Sequence, residues 1–406
     1  MTLGQLKEAP VPDRKSYDVV IAGGAVMGSA CAYWLTRLSG GRARVLVVEP
    51  DPGYARASTA LSVASIRLQF SNPVNIEISR FGLEFIRNIS AYLGPAGGPG
   101  DLGLRENGYL FLAGTELQAA NMRQNRDIQV SLGAETELLD RAALAARFPY
   151  LALGDVRLGS FGPRHEGWFD NMGLLGGLRR AARAAGADYL QDSVTGIDAA
   201  DGRVTGVLLA SGRRVTAGHV VNAAGTHGAG VARMAGLDIP VEPRKRTVFL
   251  IDAPRTKHPD APLLVDHTGF YLRPEGDHWI CATVPEDDPP VDHDDFEPRH
   301  WEFEDEIWPR LYARAPEFDA VKVLRMWAGH YSFNRFDANA IVGPHPDRPN
   351  FHFANGFSGH GLQQAPAVGR GVAEAILYGE FRSLDLSELS IGRILANRPF
   401  REKAIV

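Results

Sequence analysis

Two glycine-rich runs, one carboxylate and two arginines carry the chemistry this sequence offers. Gly23, Gly24, Ala25, Val26, Met27 and Gly28 form the first run. The second, Asn355 to Pro366, holds Gly356, Gly359, His360, Gly361, Leu362 and Gln363. A glycine turn that opens a helix presents bare N–H groups and the positive end of the helix dipole to an anion. Glu49 follows Gly28 by 21 residues, the spacing at which an acid closing a second strand binds ribose hydroxyls. An acid there disfavours a 2′-phosphate, so NADP is not expected. A cofactor gripped by both runs is long, and FAD fits it better than NAD. Arg67 and Arg273 each offer a planar guanidinium fork that suits an anionic group, and Tyr271, His330 and Gln363 are the polar residues that accompany them.

These residues need elements to hold them. Tyr17–Ala22 is apolar and β-branched, as in a buried parallel strand. The glycine turn follows, then a helix over 26–38 with Met27, Ala30, Cys31, Trp34 and Leu38 at helical spacing, then the strand Val45–Glu49. Ala25 replaces the middle glycine of the usual fingerprint and adds one methyl near the phosphate position. A stretch of small residues, with Ser58 and Thr59, leads to Arg67. Asn72-Pro73 starts a helix with Ile78, Phe81, Phe85 and Ile89 on one face. Gly108–Ala113 reads as a strand, 115–147 as mostly helix, and 172–185 as a helix after Asp170-Asn171. Ser193–Ala199, Arg203–Leu209 and Arg214–Asn222 read as strands, the last running into Ala224 and Gly225. From Ile239 the pattern turns β-like, at Thr247–Ile251, Gly269–Leu272 and Trp279–Thr283. A helix carrying Phe303, Ile307 and Leu311 is interrupted at Pro309, and strands follow at Leu324–Tyr331 and Phe351–Ala354.

The pattern predicts an α/β protein: a Rossmann-like FAD-binding domain with a mixed-sheet, α+β substrate domain. The first is discontinuous, over 16–105, 151–235 and 328–400. The second takes 106–150 and 236–327, and 1–15 is an N-terminal extension. A length of 406 residues and an apolar fraction of 45% support a large core. The net charge of −5 gives no nucleic-acid surface. No signal peptide, transit peptide or membrane span is read, and the two cysteines, Cys31 and Cys281, suit core thiols in a reducing, cytoplasmic setting. No metal site is expected. The acidic run Glu286–Glu306, with Asp292-His-Asp-Asp295, reads as a solvated loop, and Arg244, Lys245 and Arg246 as a solvated strand edge.

Gly23–Gly28 with Glu49, Ala57–Arg67, Val220–Thr226, Trp327–His330 with Asp337, and Asn355–Pro366 together resemble the FAD-dependent D-amino-acid oxidase superfamily, in particular its sarcosine and dimethylglycine dehydrogenase branch. Pro240–Arg246, Trp327–Pro346 and Phe357–Gly369 resemble mitochondrial flavoproteins implicated in respiratory complex I assembly. The resemblance implies that the first glycine turn holds the pyrophosphate and Glu49 the adenosine ribose. It places Ser58 and Thr59 along the pyrophosphate and ring, Val194 near adenine, and Ala224 and Gly225 beside the cofactor. It brings Gly359, His360, Gly361, Leu362 and Gln363 to the flavin's N1–C2=O edge. Relatives that attach flavin covalently use a cysteine near His330 or a histidine near Leu61; this chain has neither. FAD is therefore expected to be non-covalent. A carboxylate-binding lysine of sarcosine oxidases is Gln363 here, and their oxygen-activating lysine matches neither Trp279 nor Ile280. This favours a dehydrogenase or a slow oxidase.

The implied reaction oxidises a C–N bond beside a carboxylate in a small amine or amino acid, by hydride transfer to flavin N5 and hydrolysis of the imine. Oxygen or an electron-transfer acceptor takes the electrons. Arg67 is the first choice for the carboxylate, against a surface or phosphate-neighbouring arginine. Arg273, on a strand face shared with Tyr271, is the second, against an ordinary salt-bridged residue. His330 is read as a ring-tuning or proton-accepting group or as a packed histidine, and Gln363 as a hydrogen-bond partner of flavin or substrate. A D-amino-acid or imino-diacid oxidoreductase, and a low-turnover flavin-binding assembly protein, are the alternatives.

Overall fold

The computed structural model describes residues 14–98 and 100–403, so the extension expected over 1–15 lies almost wholly outside them. Strand Ser16–Ala22 runs through the middle of an eight-stranded sheet. It pairs in parallel with Val45–Glu49 on one side and Arg214–Asn222 on the other. Asp188–Gln191 extends one flank in parallel, Arg348–Asn355 the other, and Ile341–His345 closes that flank antiparallel. Arg203–Leu209 and Val194–Ala200 form an antiparallel spur on Arg214–Asn222. Central strands covered on both faces are apolar throughout, and Val19, Val20 and Ile21 are all fully enclosed.

Helix Val26–Leu38 packs on this sheet beside helix Gly361–Tyr378. The contact is close: a Cβ on Gly369 would lie 2.7 Å from that of Ala30. Trp34 Nε1 donates to the carbonyl of Pro366 at 2.8 Å. The two glycine runs at opposite ends of the sequence thereby become neighbours.

A second eight-stranded sheet is mixed. Its order is Lys322–Asn334, Val241–Asp252, His278–Thr283, Phe270–Glu275, Leu263–Val265, Tyr109–Ala113, Leu158–Gly162 and Glu137–Leu139. One face packs Phe249, Ile251, Trp279 and Cys281 against Phe303, Ile307 and Leu311. The other, carrying Tyr109, Val248 and Tyr271, faces the first domain. The helix expected to break at Pro309 continues. Phe303–Ile307 winds as a π-turn and Trp308–Arg314 as α-helix, so the hydrogen-bond register changes just ahead of Pro309, whose ring and missing N–H an unbroken α-ladder would not accommodate. Helix Pro73–Arg87 stops before Ile89, which starts a separate short helix.

Two expected boundaries shift. Leu158–Gly162, placed with the nucleotide domain, pairs with Tyr109–Ala113 in the second sheet. Lys322–Asn334 runs unbroken across the boundary at 327/328, held along its length by Val241–Asp252. Pairing partners distant in sequence decide both, and local pattern does not carry them. No helix among the described residues is long and apolar enough to cross a membrane.

Candidate active site

The two domains enclose a cavity of about 720 Å³. One wall is backbone. Gly23 turns the chain at φ +98°, where a Cβ would meet the carbonyl of Ala223 at 2.5 Å. A Cβ on Gly28 would sit 1.9 Å from the carbonyl oxygen of Gly23, so only glycine lets helix Val26–Leu38 start this close to the turn. No side chain caps that helix at Ala25, and Ala25, Val26 and Met27 line the cavity with Gly23. Thr59 Oγ1 reaches the N–H of Val26 at 3.4 Å, and Ser58, also lining, donates to the carbonyl of His330 at 2.7 Å.

Glu49 lines the same end. Its Oε2 accepts from the N–H of Gly24 at 2.7 Å and its Oε1 from that of Asp51 at 2.9 Å. Burial pushes its carboxyl up from the ordinary range, against the pull of those two donors. Each oxygen keeps a lone pair for a ribose hydroxyl. Gly24 thus works by holding Glu49 and is not itself a lining residue. Val194, Ala224 and Gly225 complete this end.

At the far end, helix Gly361–Tyr378 points its uncapped N-terminus at the cavity, and Gly359, His360, Gly361, Leu362 and Gln363 all line it. Gly359 has φ +97°, and a Cβ there would lie 2.6 Å from the ring of Tyr331. Gly356 belongs elsewhere. It lies outside the lining, with φ +70°, packed on Val241 and Asn334. It is glycine for the corner it turns, which corrects its assignment to the cofactor.

The other wall is made of side chains. Arg67, 2% exposed, lines the cavity with Tyr109, Tyr271 and Tyr331. Its Nη2 lies 3.1 Å from His360 Nε2, its Nη1 donates to the carbonyl of Gln69, and its guanidinium sits 4.2 Å from the centre of the Phe70 ring. Burial and the Arg67 cation hold His360 well below its ordinary pKa, so it is neutral and accepts from Arg67. Gln363 lines the cavity too, and its Oε1 accepts from the backbone N–H of Arg67 at 2.7 Å, which fixes the chain that carries the cation.

Arg273 does not reach the cavity. It pairs with Glu275, donates to the carbonyl of Val63 at 3.0 Å and lies over the Trp168 ring. Strand alternation does put it on the same face as Tyr271, but one step further out. His330 lines the cavity at a different edge from Tyr331, because adjacent strand residues point to opposite faces. Its Nε2 donates to the carbonyl of Asp295 at 2.8 Å, its ring stacks on Phe296, and burial lowers its pKa.

The basic cluster and the acidic loop, each expected to be solvated, find each other. Arg246, 4% exposed and on the lining, forms a bidentate pair with Asp288 at 2.7 and 2.8 Å. Lys245, on the opposite strand face, holds Asp295 at 2.8 Å. The loop so tied brings His293, Asp294 and Phe296 to the rim of the cavity. The sequence signal was the sign complementarity of the two runs. Among the described residues no cluster of three or more His, Cys, Asp or Glu side chains is arranged to hold a metal ion.

Comparison with known proteins agrees with this geometry. Residues 18–375 match the family described as FAD dependent oxidoreductase, DAO. The chain belongs to this family. It is 40% identical over 433 residues to the Bos taurus FAD-dependent oxidoreductase domain-containing protein 1, covering 98% of this chain and 88% of that protein. It is 24% identical to Homo sapiens mitochondrial sarcosine dehydrogenase over 91% of this chain, which spans 40% of that longer protein. Among solved structures, L-proline dehydrogenase from P. horikoshii superposes with a TM-score of 0.84 at 26% identity, covering 95% of this chain and 100% of that one. This protein is an FAD-dependent oxidoreductase of the DAO fold. The cradle at Gly23–Met27, the ribose acid Glu49 and the second helix N-terminus at Gly361 fit FAD along the length of the cavity.

Proposed function

We propose that this DAO-family oxidoreductase oxidises the C–N bond of a small secondary amine or amino acid bearing a carboxylate, of the sarcosine-like or N-substituted amino-acid class. The observation that carries the reading is Arg67: a buried guanidinium on the cavity wall, hydrogen-bonded to the Gly-His-Gly loop and framed by three tyrosines. A guanidinium on a cavity wall takes a carboxylate through two parallel bonds. The human relative is named for sarcosine and the structural neighbour for L-proline, both N-substituted amino acids.

FAD, when bound, supplies the acceptor for a hydride and its electron pair. Gly23, Ala25, Val26 and Met27 would hold its pyrophosphate, Glu49 its ribose, and Gly359–Gln363 its ring edge, without a covalent bond. Both cysteines are buried away from the cavity lining. Arg67 fixes the substrate's carboxylate and thereby the carbon next to it. Tyr109, Tyr271 and Tyr331 are enclosed, and burial raises the pKa of each, so they stay neutral and exclude water. The same positive, dry wall disfavours an ammonium, so the amine enters neutral. His330, on the strand face opposite Tyr331 and committed to Asp295, is a packing and rim residue in this reading.

Anaerobic mixing of the purified flavoprotein with sarcosine, dimethylglycine, N-methyl amino acids, iminodiacetate, proline and D-amino acids tests the class. Bleaching of the flavin band by a secondary amino acid is the expected result. Bleaching by primary D-amino acids alone, or by none of the panel, overturns it. Reoxidation in air then separates oxygen from a protein electron acceptor.

A further inference from the structure

The segment that carries Arg67 has no regular structure between Ile66 and Asn72 apart from what side chains impose on it. Three side chains share this: Gln363 holds the N–H of Arg67, Glu402 holds those of Ser71 and Asn72, and Glu166 holds the two that directly follow Arg67. Glu166, 1% exposed and outside the cavity lining, accepts from the N–H of Leu68 at 2.6 Å and of Gln69 at 3.0 Å through Oε1. Its Oε2 accepts from Gln69 Nε2 at 2.8 Å. Gln69 in turn donates to the carbonyl of Tyr109 at 3.0 Å and accepts from Ser160 Oγ at 2.7 Å. The space is reserved for it: a Cβ on Gly162 would lie 2.1 Å from Glu166 Oε2.

We propose that Glu166 is a positioning residue of this site: it aims Arg67 through the backbone of residues 68 and 69, and its own charge sets how much of the Arg67 cation reaches the substrate's carboxylate. The inference rests on the carboxylate-binding reading of Arg67. The titratable groups that face Glu166 are Arg67 and Tyr109. On the adjoining segments Arg105 and Glu106 are exposed, and His165 turns outward to Arg87, Glu106 and Glu135. Burial pushes the Glu166 carboxyl up to about 7, against the pull of Gln69, the backbone N–H groups and Arg67. Below that pH it is neutral and draws nothing from the Arg67 cation. Above it the ionised Glu166 opposes a second carboxylate nearby. Ligand affinity therefore falls as pH rises through neutrality, and ligand binding raises the pKa of Glu166. His360 is neutral throughout this window.

Benzoate is a suitable probe, because it stays ionised across the range and carries no amine. Its binding to the FAD holoenzyme is read from the shift of the flavin spectrum. The dissociation constant is expected to rise roughly tenfold from about pH 6 to about pH 8, the scale of a like-charge interaction in a partly buried site. Glu166→Gln is expected to flatten that profile with flavin content retained. Calorimetry on the unmodified holoenzyme near neutral pH, in two buffers of different ionisation heat, is expected to show uptake of part of a proton on binding. A flat profile in the unmodified protein, zero proton uptake, or an unchanged slope in Glu166→Gln overturns the inference while leaving the Arg67 site standing. Absence of any benzoate binding at either pH removes the Arg67 reading and this inference with it.

Discussion

One wall of the cavity is made of backbone and the other of side chains, and they tolerate change differently. The backbone wall, at Gly23, Gly28 and Gly359, works by having no Cβ, and its geometry is set by turns and helix starts within a few residues. The side-chain wall has Tyr109, Tyr271, Tyr331 and Arg246 on a sheet whose strands come from distant parts of the sequence, with Arg67 on an irregular segment beside it. The first meets the cofactor through backbone; the second presents charge and aromatic surface.

The sharpest way to break the comparison is Gly28→Ala. The added methyl falls 1.9 Å from a carbonyl oxygen, and overpacking of this kind costs about 1–3 kcal/mol or more. We expect the purified variant to lose nearly all bound flavin, measured as the ratio of visible to protein absorbance. Retention of full flavin content would mean that the wall yields. On the side-chain wall, Arg67→Lys replaces a planar fork by a point charge. Apparent affinity for a carboxylate substrate should fall roughly 10- to 100-fold, about 1.4–2.8 kcal/mol, with flavin content unchanged, as steady-state kinetics and absorbance would report. Glu49→Gln removes an acceptor whose backbone donors remain, and should weaken FAD binding roughly tenfold in a dialysis and reconstitution titration. Arg273→Lys, behind Val63 and outside the cavity, should leave substrate affinity within about twofold. A large loss there would put Arg273 back into the site.

The contrast also explains what could be read in advance. Gly23, Gly28 and Glu49 lie on one strand–turn–helix–strand unit, so their spacing alone encodes their geometry. The side-chain wall depends on partners that spacing does not encode. Gln363 meets the backbone of Arg67 across 296 residues, and Arg246 meets Asp288 across 42. Local pattern makes Arg244, Lys245 and Arg246 look like a wet edge because it carries no information on the acidic loop that covers them. Gly356 shows the converse. A glycine needed for a left-handed corner and one needed for cofactor approach are the same letter. Arg273 obeys the alternation that suggested it, yet alternation fixes the face and not how far along the strand the cavity extends.

The bond from Trp34 to Pro366 ties helices whose contacting residues are 332 positions apart. A ribosome adding about 5–20 residues per second delivers the second helix roughly 20–60 s after the first. Until then the flank of the first helix that meets Gly369 stays uncovered, although its strand and its other flank already have partners. Flavin capture is therefore a late event in the life of the nascent chain, and the half-built nucleotide sheet is the species most in need of protection while the rest arrives.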